Sequence, residues 1–299
     1  VPVNPWDSTR WSGVSSSGSG VATAAGLCFG SVGTDTGGSI RYPSAANGCV
    51  GLKPTYGRVS RYGVFALAGS MDHVGPMTRT VADAAIMFEA MAGFDSNDPT
   101  SLTDPVLPVG DELQRGVAGL RIGIDHVYAS NNVEPAVTKA VGDVIAELQR
   151  QGAEIVDVKM PDVGNTEEVW YDLETVEAVI ANAETFPSRA DEYGPGFRSV
   201  LEYGLQVSGV TFARASKRRD EFSAHLHRML AEVDCMVCPS MGNSAPLKLT
   251  DAAALETEAL WKSLVPNDIF TKPFNLSGVP TLSVPCGFSD DGLPLSVQF

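Results

Sequence analysis

The chain has 299 residues, 43% of them hydrophobic and 19% charged, an ordinary globular composition with enough length for one large domain or two smaller ones. Its formal charge of -15 repels phosphate backbones and argues against nucleic-acid binding, and no apolar run reaches the roughly 18 residues needed to span a bilayer. Five cysteines, an odd count without a basic-apolar-small leader, favour reduced thiols and a cytoplasmic setting.

The chain opens on "VPVNPWDSTRW" and ends on "LPLSVQF", inside an alternating strand-like pattern. The expectation is one domain, residues 1–299, cut at both ends. Residues 13–38 are crowded with Gly, Ser, Ala and Thr, yet Val21, Ala22, Ala24, Ala25, Leu27 and Phe29 are too apolar for a flexible tether. "GSGVATAAG" reads as a helix and "LCFGSVGT" as a short buried strand, closely packed around a site. "TRTVADAAIMFEAMAG" is a helix that Thr80 caps, with Asp83 completing a capping box and Gly93 ending it. A loop rich in Asp and Pro follows.

"GLRIGID" (119–125) and "AEIVDVKM" (153–160) read as strands around a helix whose apolar stripe is Val137, Val141, Val144, Ile145 and Leu148. That βαβ order predicts a parallel pairing. Residues 166–232 are mostly helical, with Phe222, Leu226, Met229 and Leu230 on one face. His225 and His227, two apart, do not share a face and make no metal pair. "DCMVCPS" and "PTLSVPCGF" supply later strands, and Cys235 and Cys238 read as buried apolar residues rather than a metal or redox pair. The element order predicts an α/β layered fold with a wide mixed, largely parallel sheet flanked by helices.

The chemistry concentrates in "GTDTGGSIR", Gly33–Arg41, where two glycines lead into Ser39. A serine hydroxyl is inert until a base accepts its proton. Arg41 stands where a nucleophile elbow needs glycine, no Ser-x-x-Lys occurs, and His73 has no acid in the order a triad needs. With "SSSGSG" 24 residues ahead of Ser39, and with "GLKPTYGRVSRYG", "DHVGPMTRTVADAA" and "PFNLSGVPTLSVPCG", the string resembles the amidase signature family over residues 5–93 and 273–287.

The resemblance implies a Ser–cis-Ser–Lys triad: Ser39 as nucleophile, Ser15 as the bridging serine on a cis peptide, and an oxyanion hole from the N–H groups of Thr36, Gly37, Gly38 and Ser39. Ser16, Asp35 and Arg41 would hold the loop, the last two as a structural ion pair. The implied lysine lies upstream of the bridging serine, and no lysine precedes Ser15. Lys53 falls at a structural position of the family, and Lys139, Lys159, Lys217, Lys248, Lys262 and Lys272 read as ordinary helix, strand or loop, so the base is unassigned. Trp170, Tyr171, Trp261 and Phe270 are candidates to line an acyl pocket, with packing the favoured role for each.

The implied reaction is hydrolysis of a carboxylic amide C–N bond through an acyl-serine, with a small-molecule amide as substrate, no metal or organic cofactor, and homodimerisation left open. The nearest rival is the glutaminase subunit of a tRNA-dependent amidotransferase. A rival of another class is a non-catalytic protein that kept the fold as a scaffold.

Overall fold

The computed structural model describes residues 2–246 and 268–299; Lys248, Trp261 and Lys262 lie outside the described residues. The first helix, α1 (Ser17–Ala24), runs beside β1 (Gly30–Asp35), an edge strand. An edge strand presents N–H and C=O groups that need partners. Here serines supply them. Ser19 Oγ donates to the Val32 carbonyl at 2.9 Å, and Ser16 Oγ both donates to the Thr34 carbonyl and accepts its N–H, each at 3.1 Å. The small hydroxyl residues of this region therefore stand in for a neighbouring strand. One expectation fails here: Leu27 and Phe29 are 78% and 88% exposed, and the strand starts only at Gly30. The turn that follows α1 carries both side chains outward, leaving them off the packed layer.

Next come α2 (Arg41–Asn47), β2 (Val50–Lys53), β3 (His73–Thr78) and α3 (Val81–Met91). Thr80 caps α3 by accepting the Asp83 N–H at 3.1 Å, while Asp83 accepts the Thr80 hydroxyl. Then follow α4 (Val109–Glu112), β4 (Arg121–Ile124), α5 (His126–Ser130), α6 (Pro135–Arg150) and β5 (Glu154–Asp157). The helical stretch divides into α7 (Thr166–Ala181), α8 (Pro195–Gln206) and α9 (Gly209–Leu230). The described chain closes with β6 (Cys235–Met236), β7 (Cys238–Pro239), α10 (Lys272–Leu276), β8 (Thr281–Phe288) and β9 (Pro294–Gln298).

The fold is α/β, but among the described residues parallel pairing is confined to the smaller of two sheets. Strands order as β5-β4-β6 in the small sheet, all parallel, and as β1-β3-β2-β8-β9-β7 in the large one, all antiparallel. The expectation of a largely parallel sheet came from the single crossover β4–α6–β5, where it holds. In the large sheet β3 inserts between β1 and β2, and β8–β9 is a hairpin, so each neighbour runs the other way. The segment Cys235–Pro239 contributes to both sheets, which joins them.

Val137 and Val141 of α6 pack on Ile122, Ile124 and Val297, covering both sheets from one side. Phe222, Leu226 and Met229 of α9 pack on Met160, Met236 and Phe274, as the apolar stripe predicts, while His225 and His227 are exposed. All five cysteines are free, and burial pushes the Cys238 thiol up to about 12, so it behaves as an apolar residue. Among the described residues no helix is long and apolar enough to cross a membrane.

Helix α7 is held by α8 and α9, and its contact with α8 is close at Gly204. A Cβ there would lie 2.3 Å from the Thr175 carbonyl oxygen. Alanine improves helix propensity by about 1 kcal/mol over glycine. A clash against backbone cannot relax by rotamer change and costs about 1–3 kcal/mol. Gly204→Ala is therefore expected to lower stability in urea unfolding despite its better propensity; an unchanged or raised midpoint would show that α7 and α8 separate freely.

Candidate active site

Asp35 ends β1, Arg41 begins α2, and the five residues between them form a tight loop. Both side chains are fully buried, with the carboxylate and guanidinium 2.9 Å apart. Asp35 accepts the N–H groups of Gly38 (2.8 Å), Ile40 (3.1 Å) and Arg41 (3.3 Å), so one carboxylate folds the loop around itself. Arg41 directs donors from all three nitrogens: Nε and Nη2 to Asp35, Nη2 also to Asn275 Oδ1, and Nη1 to the Thr271 carbonyl and Gln298 Oε1. All five N–H groups of the guanidinium thus have acceptors. The expected structural ion pair is present.

Burial alone would raise the Asp35 carboxyl, but the charge and hydrogen bonds of Arg41, with Lys53 and Asn275, hold it well below the usual carboxylate range. Lys53 is fully buried beside this pair and donates to the Val279 carbonyl; burial and the Arg41 charge lower its ammonium well below the usual lysine range. His73 is buried and held well below its usual value, first by burial and then by Lys53. Its Nδ1 donates to the Met71 carbonyl at 2.6 Å, so backbone, not a carboxylate, orients the ring. This agrees with leaving His73 out of a triad.

Ser39 is half-buried, follows Gly38, and lines a cavity of about 1060 Å³. Ser15 lines the same cavity and is exposed. Two expectations need correction. The peptide bonds flanking Ser15 are trans. A cis bond outside proline costs about 3–4 kcal/mol, and an exposed serine has no surroundings to impose it. The Gly38 N–H belongs to Asp35, and therefore is not an open donor. The N–H groups of Thr36, Gly37 and Ser39 have no hydrogen-bond acceptor among the described residues.

Both glycines are sterically required. Gly38 has φ 135°, in the region that favours glycine, and a Cβ there would meet the Tyr42 ring at 2.5 Å. A Cβ on Gly37 would meet Trp170 Cζ2 at 2.6 Å. Ser16 acts on the loop's strand rather than the cavity, since its hydroxyl clasps Thr34.

Sequence reading missed several residues that surround the loop. Trp170 and Tyr171 line the cavity, the less favoured of their two readings, and Trp170 in addition donates its indole N–H to the Thr36 carbonyl at 2.8 Å, which the sequence did not indicate. Phe270 does pack, against Tyr128. Thr36 donates its hydroxyl to Asp72, which also accepts the N–H groups of Leu67 and Ala68. Lys272 is no ordinary loop residue: it is 8% exposed, lies 4.4 Å over the Trp170 ring and lines the cavity. Glu174 lines it too, 5% exposed. Burial pushes the Glu174 carboxyl up to about 8, with Lys272 pulling it down and Asp72 and Glu177 pushing it up. Asp72 and Asn275 lie in the quoted strings "DHVGPMTRTVADAA" and "PFNLSGVPTLSVPCG"; Trp170 and Glu174 sit in helical sequence with no local signal.

A family model described as Amidase matches residues 1–299. A protein of Mycobacterium tuberculosis described as a putative amidase, AmiD, is 43% identical over the whole chain, which covers 62% of that protein. A glutamyl-tRNA(Gln) amidotransferase subunit from Myxococcus xanthus is 38% identical over 99% of the chain and 64% of its own length. The crystal structure of the corresponding protein from Thermotoga maritima superposes with a TM-score of 0.82 at 34% identity, covering 99% of this chain and 63% of that one. The chain thus spans less than two thirds of the length of these relatives.

Asp35→Asn would replace a carboxylate facing several N–H donors with an amide and leave the Arg41 charge buried without its counter-ion. The expected loss is about 3–5 kcal/mol in urea unfolding; a loss under about 1 kcal/mol would mean the pair does not hold the loop. A second outcome concerns pH. Glu174 is protonated in the folded state up to about 8, whereas its reference value is 4.5. Its stabilisation is full below the unfolded value and is lost as pH rises through about 8. Calorimetry at pH 5 and pH 8 should therefore show a smaller drop in Tm for Glu174→Gln than for the wild type, by about 2–4 °C. Parallel curves would contradict the raised value.

Proposed function

Because this chain belongs to the amidase family, we propose that it hydrolyses the C–N bond of a carboxylic amide through an acyl-serine intermediate. The observation that carries the reading is the meeting, on one cavity wall, of Ser39 with N–H groups that have no acceptor of their own. A tetrahedral oxyanion needs two or more donors aimed at one point, and Thr36, Gly37 and Ser39 supply them. Ser39 Oγ attacks the carbonyl carbon. Ser15 takes the Ser39 proton, passes it toward a base that the family resemblance places ahead of it in the polypeptide, and returns a proton to the departing nitrogen. Ammonia or an amine leaves, and water releases the acid. In this reading Asp35, Arg41 and Ser16 hold the loop and take no part in proton transfer.

The cavity supports a bulky amide. At about 1060 Å³ it far exceeds a single small side chain, and Phe65, Trp170, Tyr171, Phe197, Val200 and Tyr203 give it apolar walls. Tyr62 and Phe65, 67% and 76% exposed, extend the apolar wall outward. This favours a stand-alone amidase acting on a small apolar or aromatic amide over a glutaminase subunit, whose substrate is short and zwitterionic. Five free cysteines are compatible with a reducing, cytoplasmic setting.

The test uses the intact gene product. A fluorophosphonate probe should label the Ser39 peptide, and Ser39→Ala should abolish both labelling and amide hydrolysis. A folded protein that resists labelling would instead support a non-catalytic scaffold. Ammonia release confined to glutamine in the presence of partner subunits would support the glutaminase reading.

A further inference from the structure

We propose that Trp170 is the positioning residue that aims the Gly37 N–H at the substrate oxygen, with Thr271 securing the next peptide along; the inference rests on the acyl-serine reading above. A peptide unit is planar, and its C=O and N–H point in opposite directions. Whatever holds the oxygen of a unit therefore sets where its hydrogen points. The Thr36 carbonyl and the Gly37 N–H are one unit. Trp170 Nε1 donates to that carbonyl at 2.8 Å, and the hydrogen at the other end has no acceptor among the described residues. The indole also lies against Gly37 Cα, close enough that a Cβ would sit 2.6 Å from Cζ2, so the unit cannot tip toward the ring.

The following unit is held at both ends. Thr271 Oγ1 donates to the Gly37 carbonyl at 2.7 Å, and the Gly38 N–H donates to Asp35 at 2.8 Å. Two consecutive planes are thus fixed, and only the first has an N–H without an acceptor among the described residues. A hydrogen bond to the carbonyl also polarises its own unit and strengthens the N–H as a donor. Trp170 is well placed to stay rigid. Its neighbours on α7, Val169 and Leu173, are buried against Ala68, Met71 and Leu276, and Lys272 covers the ring from within 4.4 Å. The indole nitrogen of a residue 134 positions from Thr36 thus sets a donor's direction, which a packing residue would not do.

The decisive variants keep the ring and remove the N–H. Trp170→Phe does so with loss of bulk. Incorporating 3-benzothienylalanine at position 170, in which sulfur replaces the N–H, does so at nearly constant shape and guards against misfolding. Removing an oxyanion donor outright costs about 10²–10³ in rate; here the donor remains but is no longer aimed, so kcat on an acyl 4-nitroanilide should fall about 10- to 100-fold. KM should stay within about twofold, and the second-order rate of Ser39 labelling by a fluorophosphonate should fall with kcat. Thr271→Val should cost less than either, because Asp35 still holds that plane. The inference is overturned if the benzothienyl variant keeps kcat within twofold of wild type, if the loss lies in KM alone, or if Thr271→Val is the more damaging change. Ser39→Ala run alongside separates the two readings. Activity that depends on Ser39 but not on Trp170 defeats only this inference, whereas activity independent of Ser39 defeats both.

Discussion

The buried pair of Asp35 and Arg41 is the constraint on which the site depends. Neither charge touches water, so each must be matched within the protein, and the matching partners come from three separate places in the chain. Asp35 gathers three N–H groups of its own loop. Arg41 reaches Thr271 and Asn275 around α10 and Gln298 on β9. A lysine could not replace it, since a single ammonium has three donors and no planar fork. The pair therefore turns a flexible Gly-Gly-Ser turn into a fixed object and ties it to the far end of the described chain.

In the proposed acyl-serine reaction that rigidity has a chemical use. An oxyanion is stabilised by dipoles already in place, because dipoles that must reorganise give back most of their benefit. In this loop the carboxylate of Asp35 takes the Gly38 N–H, while those of Thr36, Gly37 and Ser39 have no acceptor among the described residues. Selecting which amides are engaged and which stay open is what a single buried carboxylate accomplishes. Burial lowers both the Lys53 ammonium and the His73 imidazolium well below their usual ranges, and Arg41 remains the group in direct contact with the Asp35 carboxylate.

The cavity is assembled from different material. Its inner wall is the Gly-rich loop, while its apolar sides come from α7, α8 and the residues ahead of β3. Ser70 links the last of these to the helices: its N–H and hydroxyl donate to Glu177 of α7, and Arg219 of α9 donates to its carbonyl and hydroxyl oxygens. Glu174 and Lys272, both nearly fully buried, line this cavity together with its apolar side chains, so the pocket combines ionisable groups with an apolar body.

Local chemistry was legible without coordinates. The cap at Thr80, the stripes of α6 and α9, the β4–α6–β5 crossover and the Asp35–Arg41 pair all follow from spacing over a few residues, or from strings specific enough to carry a family with them. Such features depend on neighbours in the chain, and the sequence lists neighbours. The antiparallel large sheet and the roles of Trp170, Glu174 and Lys272 depend instead on groups far apart in the chain, 134 residues for Trp170 and Thr36 and 234 for Thr271 and Gly37. The trans peptides at Ser15 and the capture of the Gly38 N–H by Asp35 are local, but they turn on backbone geometry that the residue types leave open. A tryptophan on a helix reads the same whether its N–H meets a carbonyl or water. Only the packing of α7 and α10 against the loop decides it, because hydrogen bonds are settled by position in space, and long-range position is what a linear pattern does not encode.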